Sequence, residues 1–297
     1  MGLRWHATDG RPVCPHCECA IVGDCRTANG APRWRCKACR EDFSTTSGTL
    51  FAFHKMPLRN YVAAIAIFCN EVKGKSALAL SRDLDVQYKT AFVLAHKIRE
   101  AMASELKRMR IGGREKIVEV DGGYFGGYVK PSDRRENRRD RRLAKNQNGK
   151  RQVVVVMRER DGRTLPAVFK SESSAPAFIA ARALPGTSLM ADEAASWNDL
   201  HGRFPVSRID HSKLYSDQSG VYTNGAEEFF SRMRRAEIGH HHHIAGAYLV
   251  RYAQEAAWRE DHRRMDNGRQ VRAVSTLAMA PPTSVDWCGY WQRAKVA

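Results

Sequence analysis

Lys116-Ile117-Val118-Glu119-Val120-Asp121-Gly122-Gly123-Tyr124-Phe125-Gly126-Gly127 is the stretch whose reading decides the fold. The β-branched run from Ile117 to Val120 predicts a strand, and it delivers one carboxylate, Asp121, at its end. Two glycine pairs around Tyr124 and Phe125 give a backbone that a ligand can approach closely. A strand ending in Asp-Gly is commonly only a turn, so Asp121 gains meaning only if other acids join it. Gln152 to Met157 reads as a buried strand, Asp161-Gly162 as a hairpin turn, and Thr164 to Phe169 as the returning strand. A helix from Ala175 to Ala183 follows, then a strand from Thr187 that again ends in an acid, Asp192. That order places Asp192 on a parallel neighbour of the first strand. Thr223 to Arg235 reads as a helix with Asn224 as its cap. Spacing puts Glu227, Ser231 and Arg234 on one face, while Phe229, Phe230 and Met233 supply the packing.

Asp121, Asp192 and Glu227 therefore form a set. Two aspartates and a glutamate suit a pair of Mg²⁺ (or Mn²⁺) ions, which are hard cations and prefer oxygen ligands. Such a pair activates an attacking hydroxyl and stabilises a leaving oxygen in phosphoryl transfer. With 32 acidic residues in the chain, some triple is easy to find, and the order of elements before each acid is what makes this one specific.

The 297 residues are 43% hydrophobic, enough for one large domain with smaller modules. The longest apolar stretch, Tyr61 to Cys69, is far too short for a membrane span, and the N-terminus has no signal-peptide core. A cytoplasmic, nucleoid-associated location is expected. A net charge of +17 and a pI near 9.8 point to a polyanionic partner, with nucleic acid ahead of an anionic membrane surface or ribosomal RNA. The eight cysteines of such a chain do not suggest a disulfide framework.

Near the N-terminus, Cys14-Pro15-His16-Cys17 and Cys36-Lys37-Ala38-Cys39 form a pair of C-x-x-C knuckles. Each knuckle aims two thiolates at one point, and two knuckles joined by a ribbon of short strands supply a closed tetrahedral Zn²⁺ site. Cys19 and Cys25 lie between them and leave open which thiols ligate. Cys69 and Cys288 read as buried small apolar residues. Residues 56 to 110 then carry helical periodicity. Ser76 is expected to cap a short helix, and a second begins near Tyr88 with Gln87, Lys89 and Thr90 at its start. Helix, short turn and helix with a basic and polar opening is a helix-turn-helix arrangement, although any helical hairpin shows the same periodicity. Between the first two strands of the large domain, Lys130 to Arg151 holds ten basic residues against three acids. Arg134, Arg135, Arg138, Arg139, Arg141 and Arg142 belong to it. Without a ligand such a run is a solvated loop, and with one it grips phosphates.

At these residues the chain resembles bacterial insertion-sequence transposases of the zinc-ribbon DDE (ISXO2-like) type. The resemblance runs from about Cys14 to His262. It is carried by the strand end at Asp121, the Asp192-Glu193 pair, His211-Ser212, and Thr223-Asn224 followed by Glu227, Ser231, Arg234 and Arg235. Gly239, His242, Leu249, Tyr252 and Glu255 also fit, and the His240 to His243 run is placed where DNA contact or packing suits it better than a metal. The resemblance implies an α/β fold, a ribonuclease-H-like mixed sheet with flanking helices, preceded by a small zinc ribbon and a helical DNA-binding segment. The corresponding domains are 1–50, 51–112 and 113–265, with a tail at 266–297 that carries no readable signal. Implied too are Asp121, Asp192 and Glu227 as Mg²⁺ ligands, Asn224 as a residue sharing the third acid's role, and Arg234 and Arg235 on DNA. The implied activity is metal-dependent strand cleavage and transfer at element ends. Its partners would be double-stranded DNA (terminal inverted repeats and target) and further copies of the chain. Three positions depart from the pattern: Gly122 where an acid commonly follows the first aspartate, Tyr222 for a histidine, and Arg234 for a lysine. A DNA-binding protein with an inactive catalytic domain, or a nuclease on the same fold, remains the alternative.

Overall fold

The structure, a computed structural model, describes residues 2–27, 30–53, 56–126, 134–137, 149, 151–210, 220–280 and 282–293. Its contacts divide the chain into two units. The first comprises residues 1–71, 75–104 and 265–297, and the second 72–74 and 105–264.

The first unit begins with a three-stranded antiparallel sheet of β1 (Val22–Arg26), β2 (Pro32–Cys36) and β3 (Asp42–Ser44). Trp5, Trp34 and Phe43 are buried against one another beside Cys14 and Cys36, a very small apolar core. Helices α1 (Leu58–Asn70), α2 (Ala77–Asp83) and α3 (Tyr88–Ser104) follow. Ser76 caps α2, its hydroxyl accepting the Ala79 N–H at 3.1 Å. Leu80, Ala91, Leu94 and Ile98 bury the facing sides of α2 and α3.

In the second unit, β4 (Ile111–Gly112) leads into β5 (Ile117–Phe125), β6 (Gln152–Glu159) and β7 (Thr164–Phe169), paired antiparallel. After α4 (Pro176–Arg182), β8 (Ala183–Leu184) pairs with β4, and β9 (Ser188–Asp192) returns parallel to β5. β10 (Val206–Ile209) adds parallel to β9, giving the order β10-β9-β5-β6-β7. Val153 to Met157 on central β6 are fully buried, as a strand covered on both faces requires. Helices α5 (Asn224–Ala236) and α6 (Leu249–His262) complete the unit. Buried Glu260 and Asp261 of α6 pair with Arg158 at 3.1 and 3.2 Å, tying that helix to the sheet.

Two expectations need correcting. β5 does not end at Asp121 but runs on to Phe125, because β6 offers a continuous ladder in which Asp121 faces Val156 and Phe125 faces Gln152. Asn224 does not cap α5. It is the exposed first residue of the helix, and a strand carboxylate takes the capping role, as described below.

The C-terminal segment, unreadable in sequence, belongs to the first unit. Asp266 caps α7 (Asn267–Met279) through the Arg269 N–H, and α7 packs on α1 and α3. Before the short α8 (Tyr290–Arg293), Trp287 stacks on His96 of α3 at 4.1 Å. Cys69 is buried as expected, whereas Cys288 is half-buried and accepts from Lys97 Nζ at 3.4 Å. Among the described residues no helix is long and apolar enough to cross a membrane.

Candidate active site

The parallel register sets Val120 opposite Ala191, so Asp121 and Asp192, the next residues along, stand side by side on neighbouring strands. α5 lies on the face they share. A Cβ at Gly123 would come within 2.5 Å of the Phe230 ring, so only glycine admits the helix this closely. Glu227, one turn before Phe230, is thereby carried to within the electrostatic reach of Asp121.

The carboxyl of Asp121 is pushed up to about 7. Burial is the main cause. The Gly122 N–H, which donates to Oδ1 at 2.7 Å, opposes the shift, and the negative fields of Asp192, Glu227 and Glu172 add to it. Asp192 is held by its surroundings: Trp197 Nε1–H donates to Oδ1 at 2.6 Å and the Ala194 N–H at 3.2 Å. Arg208 Nη1 braces the same turn by donating to the carbonyl oxygens of Asp192 and Ala194. Among the described residues the ligand atoms of these acids do not all come within 4.8 Å of one another, so their link is the mutual electrostatic field rather than direct contact. All three side chains are carboxylates, the oxygen ligands that hard divalent ions prefer.

Two further acids enter the site that sequence reasoning did not single out. Glu119 points to the same face as Asp121 but is already engaged. Its Oε2 accepts the Ala226 N–H at 3.0 Å, capping α5, and its Oε1 accepts from Arg160 Nε at 3.0 Å. Arg160 Nη2 in turn donates to the carbonyl oxygens of Gly220 and Tyr222, and its guanidinium lies 3.5 Å from the centroid of the Tyr222 ring. This hub seats the start of α5, and hence Glu227, against the strand that carries Asp121. Replacing Glu119 with Ala strands a largely buried guanidinium and uncaps α5. The expected loss is about 3 kcal/mol in urea denaturation, with Glu119→Gln, which keeps an acceptor, losing less. Glu172, between β7 and α4, is half-buried, and its carboxyl is raised by burial and by the field of Asp192. The gap at Gly122 was the one signal that could have prompted a search for it.

Of the proposed DNA contacts, Arg234 and Arg235 are exposed in the last turn of α5, and Arg134 and Arg135 are exposed on a short 3₁₀ turn. Lys89 is exposed in the first turn of α3, with Nζ 5.4 Å from the centroid of Trp291. Arg138, Arg139, Arg141, Arg142, His211 and Ser212 lie outside the described residues. His241 rests edge-on against Tyr252, while Glu255 pairs with Arg259 on α6.

In the first unit, Cys14, Cys17, Cys36 and Cys39 present four sulfurs that all lie within 4.8 Å of one another. Cys14 and Cys39 are 3.6 Å apart, Cys17 and Cys36 3.5 Å. A tetrahedron with Zn–S bonds of about 2.3 Å has sulfur–sulfur edges of about 3.8 Å, so the set fits that ion. The Cys39 N–H holds the Cys36 thiol down to about 6; burial opposes this and the Ala38 N–H assists. Cys19 and Cys25 stand outside that group, and Cys19 Sγ accepts the Ile21 N–H at 3.4 Å.

The fold is an α/β protein whose mixed sheet carries Asp121 within β5 beside Asp192 at the end of parallel β9, with Glu227 on an adjoining helix. The sequence profile of the ISXO2-like transposase domain matches residues 110–261, which include every strand of that sheet and all three acids. The chain belongs to the ISXO2-like transposase family. It is also similar to a protein of the transposable element ISH50 of Halobacterium salinarum, named there only as uncharacterized. The two are 23% identical over 242 residues, covering 78% of this chain and 79% of the relative.

Proposed function

We propose that the chain is the transposase of an insertion sequence, binding the element's ends and cleaving and transferring DNA strands there. The observation that carries this reading is the convergence of Asp121, Asp192 and Glu227 from β5, β9 and α5 inside the matched family domain. Three antiparallel strands followed by two parallel ones support a ribonuclease-H-like sheet. Asp121, Asp192 and Glu227 would hold two Mg²⁺ or Mn²⁺ ions, with exposed Asn224 beside the third acid sharing its role. When bound, such ions supply the charge that activates an attacking hydroxyl and stabilises a leaving oxygen. Trp197, Ala194 and Arg208 fix the orientation of Asp192, and the Glu119–Arg160 hub fixes that of Glu227. Cys14, Cys17, Cys36 and Cys39 would hold a structural Zn²⁺. The α2–α3 pair would act as a helix-turn-helix with Lys89 near the groove. Arg134, Arg135, Arg234 and Arg235 would neutralise phosphates.

The test is incubation of purified protein and Mg²⁺ with labelled terminal inverted repeats and a target duplex. Strand-transfer products support the reading, whereas end binding without cleavage supports a DNA-binding protein with an inactive centre. End binding should also weaken steeply with salt, by roughly 10³-fold or more between 50 and 200 mM if six or more phosphates are contacted. A flat salt response counts against the basic residues' role.

A further inference from the structure

Topology delivers Glu172, at the junction of β7 and α4, to the face of β5 opposite α5. Strand alternation puts Gly122 on that face, since Gly123 faces α5. A Cβ built at Gly122 would lie 2.5 Å from Glu172 Oε1 and 2.9 Å from its Cδ, so the carboxylate rests directly against the backbone next to Asp121. Its field reaches Asp121, and that of Asp192 reaches it. Ser196 Oγ donates to Oε2 at 3.5 Å, the outer limit of a hydrogen bond. Arg151, whose field also reaches Glu172, lies over the Tyr124 ring at 4.3 Å, and no ion pair to Glu172 forms among the described residues. Glu172 thus shares the fields of Asp121 and Asp192, opposed by that of Arg151, and its hydrogen bond is the long one from Ser196.

We propose that Glu172 is a fourth carboxylate of the divalent-cation centre, entering from the α4 face while Glu227 enters from the α5 face. The proposal rests on reading Asp121, Asp192 and Glu227 as a cation site. Glu172 would add a fourth carboxylate oxygen donor to those of Asp121, Asp192 and Glu227 around the two ions. Gly122 is then part of the centre, because any side chain there would displace the Glu172 carboxylate.

The test is Mn²⁺ binding to the full-length, zinc-loaded chain, followed by electron paramagnetic resonance and by the Mn²⁺-induced rise in Tm. Glu172→Gln keeps the shape and removes one charge from a crowded acidic cluster, so it should fold. It should weaken Mn²⁺ binding by about tenfold or more, at least the loss expected for an outer-shell partner. Gly122→Ala, which keeps the carboxylate but pushes it away, should weaken binding in the same direction. Gly122→Asp combined with Glu172→Ala should bind Mn²⁺ more tightly than Glu172→Ala alone. If Glu172→Gln binds Mn²⁺ as wild type does while Asp121→Asn does not, Glu172 is no ligand and the three-acid centre stands. If Asp121→Asn also binds as wild type, the centre itself is misread.

Discussion

On the proposed function, Asp121→Asn should abolish strand cleavage and at the same time stabilise the metal-free protein. Both results come from one carboxyl. Burial, helped by the fields of Asp192, Glu227 and Glu172 and opposed by the Gly122 N–H, holds that carboxyl up to about 7 against an ordinary 3.8. Between those values the folded chain binds a proton that the unfolded chain has released. Stability from this group is therefore complete below about pH 4 and is lost as the pH rises toward 7. Asparagine cannot ionise and removes that slope. At about 1.4 kcal/mol per pH unit the variant gains on the order of 4 kcal/mol at pH 7 and above, relative to wild type without divalent ions. Adding Mg²⁺ offsets the crowded negative charge, so it should raise the wild-type Tm at pH 7 to 8 and leave the variant's nearly unchanged. Cleavage in the variant should fall by more than the 10–100-fold typical of losing an outer-shell partner. Thermal unfolding against pH, with and without Mg²⁺, checks the stability claim. Parallel pH profiles for the two proteins would show that Asp121 does not carry this charge.

Removing zinc should unfold the N-terminal ribbon while leaving the second unit folded. The buried core of that module is Trp5, Cys14, Trp34, Cys36 and Phe43, with Val13, Cys19, Val22 and Cys39 partly buried against it. A core this small does not offset the chain entropy of its residues, so metal binding free energy is folding free energy here. The purified chain should carry about one zinc. A strong chelator at neutral pH, or Cys36→Ser, should release it and open the ribbon to limited proteolysis between residues 10 and 45. The transition of the second unit should persist, because its core of Val153 to Met157, Leu189, Trp197 and Phe230 contains no metal ligand. An apo-ribbon as protease-resistant as the metal-loaded one would remove the structural-zinc claim. Acidification should have the same effect as chelation, since protons compete for thiolates such as that of Cys36.

Local pattern carried much of this protein. The two C-x-x-C knuckles name the four sulfurs that come together, since each knuckle is a short-range turn. Ser76 announces the start of α2 through a bond only three residues long. The β-branched runs at Ile117 and Val153 announce neighbouring central strands. Pattern failed where a long-range partner overrode a local signal. Asp121-Gly122 reads as a turn, yet the ladder to β6 carries β5 onward to Phe125. Asn224 reads as a cap, yet Glu119 on a distant strand reaches the helix start first. The C-terminal segment shows little periodicity, yet it supplies α7 to the helices of the first unit.

By itself the sequence determined the chemistry on offer: four thiols at knuckle spacing, an acid closing each of two strand-like runs, and a third acid on an amphipathic helix. The types and spacings of neighbouring residues encode those features directly. Only the tertiary structure decided which acids meet. The sheet sets Asp121 beside Asp192, the space over Gly123 admits α5 with Glu227, and the space over Gly122 admits Glu172. Those choices depend on strand register and on side chains that are absent at two glycines, and neither leaves a mark in the spacing of the residues concerned.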